Sequence, residues 1–365
     1  MCPSRVSESR SSCTTGSRPP ARAAAACPVF DPAGECYSPG ALSFSTILGQ
    51  APALATLRHA LSSGRVHHAY RFEGPPGVGK ELAAFELARA LVCERAQGEG
   101  CGECSACKRA GTLSEEPPHV PLHPDVVLLE KGLYRSVLGS GASEATGIGI
   151  EQVRRVVLTR AGFPPHEGRA LVFIVREADE ITVQAANALL KTLEEPHAGT
   201  HFILLTSRPS RLLDTIRSRS LPVRFAPLSD SIVAELLARR GADPSVAPLA
   251  QGSMSVALEL VDPDARAERE AFVTAALEAI TAPDLTAGLK LAEGQKRDRD
   301  GLRSQLAFLA QALAAEARAV LGSDVAAAER RALQYDLVRK TLDEVEKNVQ
   351  PALALEAMVV KLRAL

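Results

Sequence analysis

A glycine-rich segment with one lysine stands between an apolar strand pattern and a helix pattern. It reads GPPGVGKE and ends at Glu81. In the arrangement G-x-x-x-x-G-K-[S/T], backbone N–H groups at a helix start surround phosphate oxygens, and the lysine reaches the terminal phosphates. The sequence therefore predicts a nucleotide-binding loop in which Gly74, Gly77, Gly79 and Lys80 contact phosphates. The alternative is a chance glycine-rich turn.

Two positions that usually support Mg²⁺ beside such a loop carry other residues. The Ser or Thr that would bind the ion is replaced by Glu81, whose carboxylate is expected to repel phosphates. The Asp expected after a later apolar strand is replaced by Arg176, which Glu177 follows. Without the ion, charge on a transferring phosphoryl group is poorly stabilised. We therefore expect weak hydrolysis or none, with ATP binding still allowed through Lys80.

Four cysteines follow the helix after this loop in the pattern C-x7-C-x2-C-x2-C. They are Cys93, Cys101, Cys104 and Cys107. Four thiolates suit a closed, tetrahedral structural Zn²⁺ site, because a catalytic zinc keeps one position open to water. Reduced free cysteines in an exposed loop are the alternative. No function is assigned to the other four cysteines, Cys2, Cys13, Cys27 and Cys36.

One arginine is a candidate for action outside its own chain. Arg219 lies in Ser218-Arg219-Ser220, after a short helix pattern and before an apolar run. An arginine at the edge of a P-loop domain can reach a neighbour's nucleotide and stabilise transition-state charge. Because arginines are common in this part of the chain, a surface ion pair remains an equal alternative.

Continuous apolar runs alternate with helix patterns in the segment that carries these residues. Such runs are typical of strands buried on both faces, and the alternation predicts a parallel sheet covered by helices, an α/β P-loop domain. The runs cover residues 69–72, 125–130, 170–175, 201–206 and 221–225. The helix patterns cover residues 51–62, 81–93 and 181–195. Residues 131–149 are rich in Gly and Ser and are expected to form an exposed loop.

The rest of the chain has a different composition on each side of this domain. Residues 1–43 are expected to be a disordered tail or the product of a misassigned start codon. Residues 44–226 form the predicted P-loop domain, with the cysteine insertion at 93–107. After Pro227 only helix patterns remain, which predicts a small helical domain at 227–266 and a helical bundle at 267–365.

Composition narrows the class of protein. Of 365 residues, 46% are hydrophobic and 23% charged, the formal net charge is −1 and only 4% are aromatic. No apolar run reaches the roughly 18–20 residues that cross a bilayer, and no signal-peptide pattern is present, so a cytoplasmic protein is expected. A stand-alone zinc-containing DNA-binding module is one hypothesis for the function of the chain, but the near-neutral charge and the few aromatic residues disfavour it.

Several motifs together resemble one family. NALLKTLEEP at 187–196 and TSRPSRLLDTIRSRS at 206–220 are similar to motifs of the bacterial clamp loaders of DNA polymerase III. ILGQ at 47–50, HHAY at 67–70 and the GPPGVGK loop are also similar. The chain most resembles the delta-prime subunits, and the resemblance is strong over about 44–225. Ser220 stands where the family's S-R-C element has Cys.

The resemblance implies a AAA+ module, a helical lid at 227–266 and a C-terminal helical collar at 267–365. It implies a heteropentamer with delta and the motor subunits gamma or tau, which loads the sliding clamp on primed DNA within the polymerase holoenzyme. In that assembly Arg219 would be an arginine finger, and the four cysteines would hold zinc. Glu81, Arg176 and Ser255, which replaces a nucleotide-sensing arginine, favour a delta-prime stator. The alternative is a catalytically active gamma/tau-like ATPase.

Overall fold

The computed structural model of the chain divides into two compact units, Met1–Ala226 and Pro227–Leu365. Each unit is described by itself. The predicted tail at 1–43 and its four cysteines lie outside the described residues, apart from Ser43. The structure describes residues 43–95, 98–134, 147–282, 284–294, 299–346 and 349–365.

The first unit is built on a parallel sheet of five strands, in the order β2-β3-β4-β1-β5. The predicted parallel sheet is confirmed. Every residue of β2 and β3 is buried, as continuous apolar runs predict. The strands are β1 Ala69–Glu73, β2 Val126–Leu129, β3 Leu171–Val175, β4 Thr200–Thr206 and β5 Leu221–Arg224.

The fifth strand departs from the prediction of a strand buried on both faces. Only Val223 of β5 is buried, whereas Leu221, Pro222 and Arg224 are exposed. β5 pairs with β1 alone and forms one edge of the sheet, which permits this exposure without requiring it, because the other edge strand, β2, is buried throughout. A proline, which has no N–H to donate to a neighbouring strand, is compatible with an edge position.

Helices cover both faces of the sheet. The predicted helix at 51–62 is confirmed, and the other two predicted helices are shifted by one or two residues. Two further helical segments were not predicted, a short helix within the cysteine insertion and a helix at 150–161 whose middle is π-helical. Residues 135–146 of the predicted Gly/Ser-rich loop lie outside the described part. The helices are Ala51–Ser62, Lys80–Val92, Ser105–Ala110, 150–161, Val183–Glu194 and Asp214–Arg217.

Two apolar layers, one on each face of the sheet, hold the carboxyl ends of the strands in fixed positions. Phe72 and Phe85 belong to one layer. Phe173 and Phe202 belong to the other and stack with ring centroids 5.0 Å apart. Because the carboxyl ends of parallel strands meet at one edge, the residues that follow β1, β3 and β4 lie close together there.

The second unit is entirely helical where it is described. One apolar cluster gathers residues between Leu228 and Leu260, and another gathers residues between Phe272 and Leu362. The helix Pro263–Thr281 runs through residue 266, where the sequence pattern places a boundary. No helix among the described residues has the length and apolarity to span a bilayer. The α-helices are Asp230–Arg239, Met254–Val261, Pro263–Thr281, Thr286–Gly294, Arg299–Val320, Val325–Glu346 and Pro351–Arg363.

Candidate functional site

The phosphate loop follows β1 and leads directly into the helix Lys80–Val92, as predicted. The backbone N–H of Gly74 donates to the carbonyl of Thr206, 3.2 Å away, which fixes the loop to the end of β4. Gly74 has φ 153°, and a Cβ there would lie 2.3 Å from the carbonyl oxygen of Phe225. Gly77 and Gly79 also have positive φ, 70° and 95°. The loop geometry therefore depends on glycine at these positions.

A buried glutamine joins the loop to the segment after β5. The side-chain amide of Gln50 donates to the carbonyls of Val78, at 3.2 Å, and Ala226, at 2.7 Å. Its amide oxygen accepts from the N–H of Ala226, at 3.0 Å. Gln50 ends the ILGQ motif, which indicates only a family resemblance. Its contacts could not be predicted because all three partners are backbone groups distant in sequence.

Lys80 is buried within the loop, with 8% of its surface exposed. Its ammonium group donates to the carbonyl of Gly74 at 2.6 Å and also to the carbonyl of Pro75. Burial lowers the pKa of Lys80 to about 8, and the negative charge of Asp179 partly opposes that shift. The ammonium group of Lys80 therefore contacts backbone oxygens of the loop, and its contact with phosphate stays a prediction.

The two residues that replace the usual Mg²⁺ supports contact each other. The Arg176 guanidinium pairs with the Glu81 carboxylate through Nη2 and with the Glu130 carboxylate, 2.6 Å away, through Nη1. The expectation that Glu81 simply repels phosphates is therefore incomplete, because a permanent positive charge compensates its carboxylate. Glu130, which follows β2, was missed because nothing in the sequence signals a contact with Arg176.

The residues after β3 and β4 form a second polar network beside the loop. Thr206 Oγ1 donates to Asp179 at 2.6 Å, and Arg208 Nε donates to the other oxygen of the same carboxylate at 2.7 Å. Glu177 has the unusual φ of 46°. Its pKa is raised, chiefly by burial and further by the nearby Glu180. Glu177, which could orient a water molecule, is thus held beside other acidic groups.

Arg219 lies after the short helix Asp214–Arg217 and makes contacts within its own chain. Its guanidinium pairs with Glu194, the last residue of the helix Val183–Glu194. Nη1 also donates to the carbonyl of Thr215 at 2.9 Å and to the hydroxyl of Ser218 at 3.1 Å. About a third of the side chain, 32%, is exposed. Both earlier alternatives remain, because an ion-paired arginine with an exposed face can also meet an external anion.

The four cysteines of the insertion form one cluster. Their sulfur atoms all lie within 4.8 Å of one another, and Cys93, Cys104 and Cys107 are buried. The Cys101 and Cys107 sulfurs are 3.9 Å apart. Four sulfurs at about 2.3 Å from a tetrahedral zinc ion would be about 3.8 Å apart, so the spacing fits such an ion.

Backbone N–H groups point at these sulfurs. The N–H of Cys104 donates to Cys101 Sγ and that of Cys107 to Cys104 Sγ, each at 3.4 Å. Backbone N–H groups of Cys104 and Glu103 lower the pKa of Cys101 to about 6, whereas burial raises the pKa of Cys107. The helix Ser105–Ala110 begins within the cluster and supplies its last cysteine. The donor set is therefore suited to a metal that prefers thiolates.

A parallel sheet in this strand order, with a phosphate loop between β1 and its helix, defines an α/β P-loop protein of the AAA+ class. Residues 49–229, about half of the chain, match the family described as "DNA polymerase III, delta subunit". The chain belongs to the family of DNA polymerase III clamp-loader subunits.

Curated relatives include both kinds of subunit. The chain is 38% identical over 197 residues to the gamma/tau subunit of Mycobacterium tuberculosis, which is 54% of this chain and 31% of that protein. It is 32% identical over 220 residues to the delta' subunit of Bacillus subtilis, which is 60% of each. The chain therefore spans about a third of the first relative's length and less than two thirds of the second's.

Solved structures with a similar chain path include two from Thermotoga maritima. One is a DNA polymerase III gamma subunit-related protein with 17% identity and a TM-score of 0.42, covering 85% of this chain and 98% of that one. The other is the RuvB Holliday junction branch migration motor, with 16% identity and a TM-score of 0.40, covering 78% of this chain and 86% of that one.

Proposed function

We propose that the chain is a delta-prime-type clamp-loader subunit, a stator that hydrolyses little or no ATP itself. The observation that carries the proposal is the placement of Arg176 between Glu81 and Glu130. An active ATPase of this class needs a hydroxyl and a carboxylate at those positions to hold Mg²⁺. Here both positions are used in an ion pair with each other, which removes the main source of charge stabilisation for phosphoryl transfer.

The stator would act on a neighbouring motor subunit through Arg219. Its guanidinium is partly exposed and lies at the end of a short helix, so a phosphate group from another subunit can approach it. Ser255, in the helix Met254–Val261, adds support because a motor subunit would carry a nucleotide-sensing arginine there. In this role the chain assembles in the cytoplasm with delta and gamma/tau subunits and loads the sliding clamp on primer-template DNA.

The cysteine cluster would hold a structural zinc ion. All four ligands come from the chain, which leaves no open position for catalysis. The ion would join the end of the helix Lys80–Val92, at Cys93, to the insertion that follows it. Its expected contribution is to the stability of the insertion.

Co-purification followed by ATPase assays tests the proposal. The chain is co-expressed with delta and gamma/tau subunits of the same organism, and the complex is isolated by a tag on this chain. We expect a stable complex whose DNA-stimulated ATPase requires this chain, and negligible turnover by the isolated chain. Failure to form a complex, or robust Mg²⁺-dependent turnover by the chain alone, would contradict the proposal.

An active gamma/tau-like ATPase is the second candidate. Its support is the 38% identity to a gamma/tau subunit and the intact glycines and lysine of the loop. Turnover by the isolated chain that disappears in a Lys80→Ala variant would favour it. An R58M variant, which removes a partly exposed, ion-paired arginine outside the loop, is the matched control and should not alter turnover.

A further inference from the structure

The phosphate loop retains its anion-binding parts but has an internal cation. The three glycines have positive φ, Lys80 lies against the loop's own carbonyls, and the helix that follows the loop is 13 residues long. Its N-terminus carries partial positive charge. The Arg176 guanidinium lies against Glu81, the residue next to Lys80. The loop therefore contains one positive side chain, Lys80, and a second, Arg176, is paired with the residue next to that lysine.

We propose that this loop binds a nucleoside diphosphate without a divalent cation, with the Arg176 guanidinium standing in place of Mg²⁺. The proposal goes beyond the stator role, since a stator needs no nucleotide. It depends on the contacts of three side chains. Glu81 is the second residue of the helix that follows the loop, and Glu130 comes directly after β2. Both carboxylates bind the same guanidinium.

Charge explains why a metal ion would not enter this site. The two carboxylates and the guanidinium together carry one net negative charge, which the Lys80 ammonium balances. A divalent ion bound by Glu81 and Glu130 would have to displace a guanidinium held at both of its Nη atoms. Burial opposes the charge of Arg176, but the Glu81 and Glu130 carboxylates raise its pKa overall, so the guanidinium keeps its proton and does not make room.

The same balance favours a diphosphate over a triphosphate. A triphosphate carries one more negative charge, which Mg²⁺ ordinarily compensates, and a single guanidinium compensates less than a divalent ion does. Lys80 can exchange the carbonyls of Gly74 and Pro75 for phosphate oxygens without leaving the loop. The favoured ligand is therefore the diphosphate, bound through the loop's N–H groups and two cationic side chains.

The test is equilibrium binding of a fluorescent ADP derivative to the purified full chain, once in EDTA and once in excess Mg²⁺. We expect the two dissociation constants to agree within about threefold, and ATP to compete less well than ADP in EDTA. Absence of binding in both buffers, or binding that requires Mg²⁺, would overturn the proposal. Neither result would touch the stator role, which the co-purification decides separately.

An R176M variant gives the sharper result because it removes the internal cation and frees two carboxylates. Affinity for ADP in EDTA should fall by about tenfold or more, and Mg²⁺ should now restore it. Bound Mn²⁺ should give an altered electron paramagnetic resonance signal with ADP in R176M but not in the unaltered chain. An R176M variant whose ADP affinity is unchanged in EDTA would contradict the proposal.

Three controls separate binding from folding. An R176K variant keeps a positive charge and should keep part of the EDTA affinity, even if R176M folds poorly. A K80A variant should lose binding in both buffers. The R58M variant removes a guanidinium that pairs with Glu99 outside the loop and should bind ADP as the unaltered chain does. If R176K does not bind ADP in EDTA although its thermal unfolding is unchanged, the proposal that Arg176 takes the place of the metal ion is wrong.

Discussion

The carboxylate of Glu194 holds the guanidinium of Arg219 within the same subunit. The pair joins the end of the helix Val183–Glu194 to the turn after the helix Asp214–Arg217. The carbonyl of Thr215 accepts a further hydrogen bond from the same guanidinium. Arg219 is therefore oriented before any partner arrives, and an approaching phosphate would compete with Glu194 for it.

An R219A variant should assemble normally but lower ATP hydrolysis in the complex. Loss of an arginine finger costs on the order of 10³-fold at the site that it serves. The ATPase rate of the whole complex should fall by the fraction that this one site contributes, and by more if the motor subunits hydrolyse ATP in a coupled way. R217A is the matched control, since Arg217 lies on the same turn and pairs with the exposed Asp214. Equal rates for R219A and the unaltered complex would remove the finger role.

Zinc should co-purify at one ion per chain and survive dialysis against metal-free buffer. A C104S variant should lose the ion and unfold at lower temperature, because Cys104 is buried and also caps the helix Ser105–Ala110. Elemental analysis and thermal unfolding measure both effects. C36S, which alters a cysteine outside the C-x7-C-x2-C-x2-C motif, should keep the metal. A metal content near zero in the unaltered protein would exclude the structural zinc site.

Nucleotide affinity should fall as pH rises from 7 to 9 if Lys80 contacts phosphate. The pKa of Lys80 is lowered to about 8 by burial, and a bound anion would raise it again. Above pH 8 the free lysine is largely neutral, so binding must take up a proton, and affinity drops by up to about tenfold per pH unit. Titrations in buffers of different ionisation enthalpy measure that proton. An affinity independent of pH would contradict a phosphate contact by Lys80.

The first unit should lose stability in mild acid. Burial lowers the pKa of His68, His201 and His123. Repulsion from His67 adds to the shift at His68, whereas at His201 the carbonyl of His67 opposes the shift and repulsion from His68 adds to it. Because the unfolded chain binds these protons first, stability is fully present above about pH 6.5 and declines below it. The loss is up to about 1.4 kcal/mol per pH unit for the proton on the more buried His201 and smaller for the more exposed His68. Urea unfolding at several pH values measures the slope, which an H201Q variant should reduce.

A G74A variant should destabilise the first unit far more than G64A. At Gly74 a Cβ would lie 2.3 Å from a carbonyl oxygen, whereas at Gly64 nothing lies within 4 Å. Both have positive φ, so both substitutions carry backbone strain. We expect a loss of about 3 kcal/mol at Gly74 and about 1 kcal/mol at Gly64. Urea denaturation measures both, and equal losses would show that the close approach to Phe225 is not limiting.

The sequence predicts the sheet and the loop well because both depend on local patterns. Continuous apolar runs identify strands, and GPPGVGK must sit between a strand and a helix. The exposure of β5 could not be predicted in this way, because the apolar pattern of Leu221 and Val223 does not say which faces of the strand other parts of the chain cover. The covering of a strand depends on how the whole unit packs, as the buried edge strand β2 and the exposed edge strand β5 show.

The candidate site was predicted in its parts but not in its contacts. The types of Glu81 and Arg176 indicate loss of the Mg²⁺ supports, yet their ion pair and the third partner, Glu130, appear only in the fold. These residues are far apart in sequence, and ion pairs have no periodicity to detect. The contact of Glu194 with Arg219 could likewise not be predicted, because the motif that contains Glu194, NALLKTLEEP, indicates only a family resemblance.

Under the proposed stator role, the bridge made by Arg176 also bears on how easily hydrolysis could return during evolution. Replacing Arg176 with an acidic residue would restore one Mg²⁺ support but place three carboxylates together, with Glu81 and Glu130 left uncompensated. Replacing Glu81 with a hydroxyl residue alone would leave the guanidinium at the metal position. Each single step is unfavourable, so descendants of such a chain would tend to remain without hydrolysis and to specialise further.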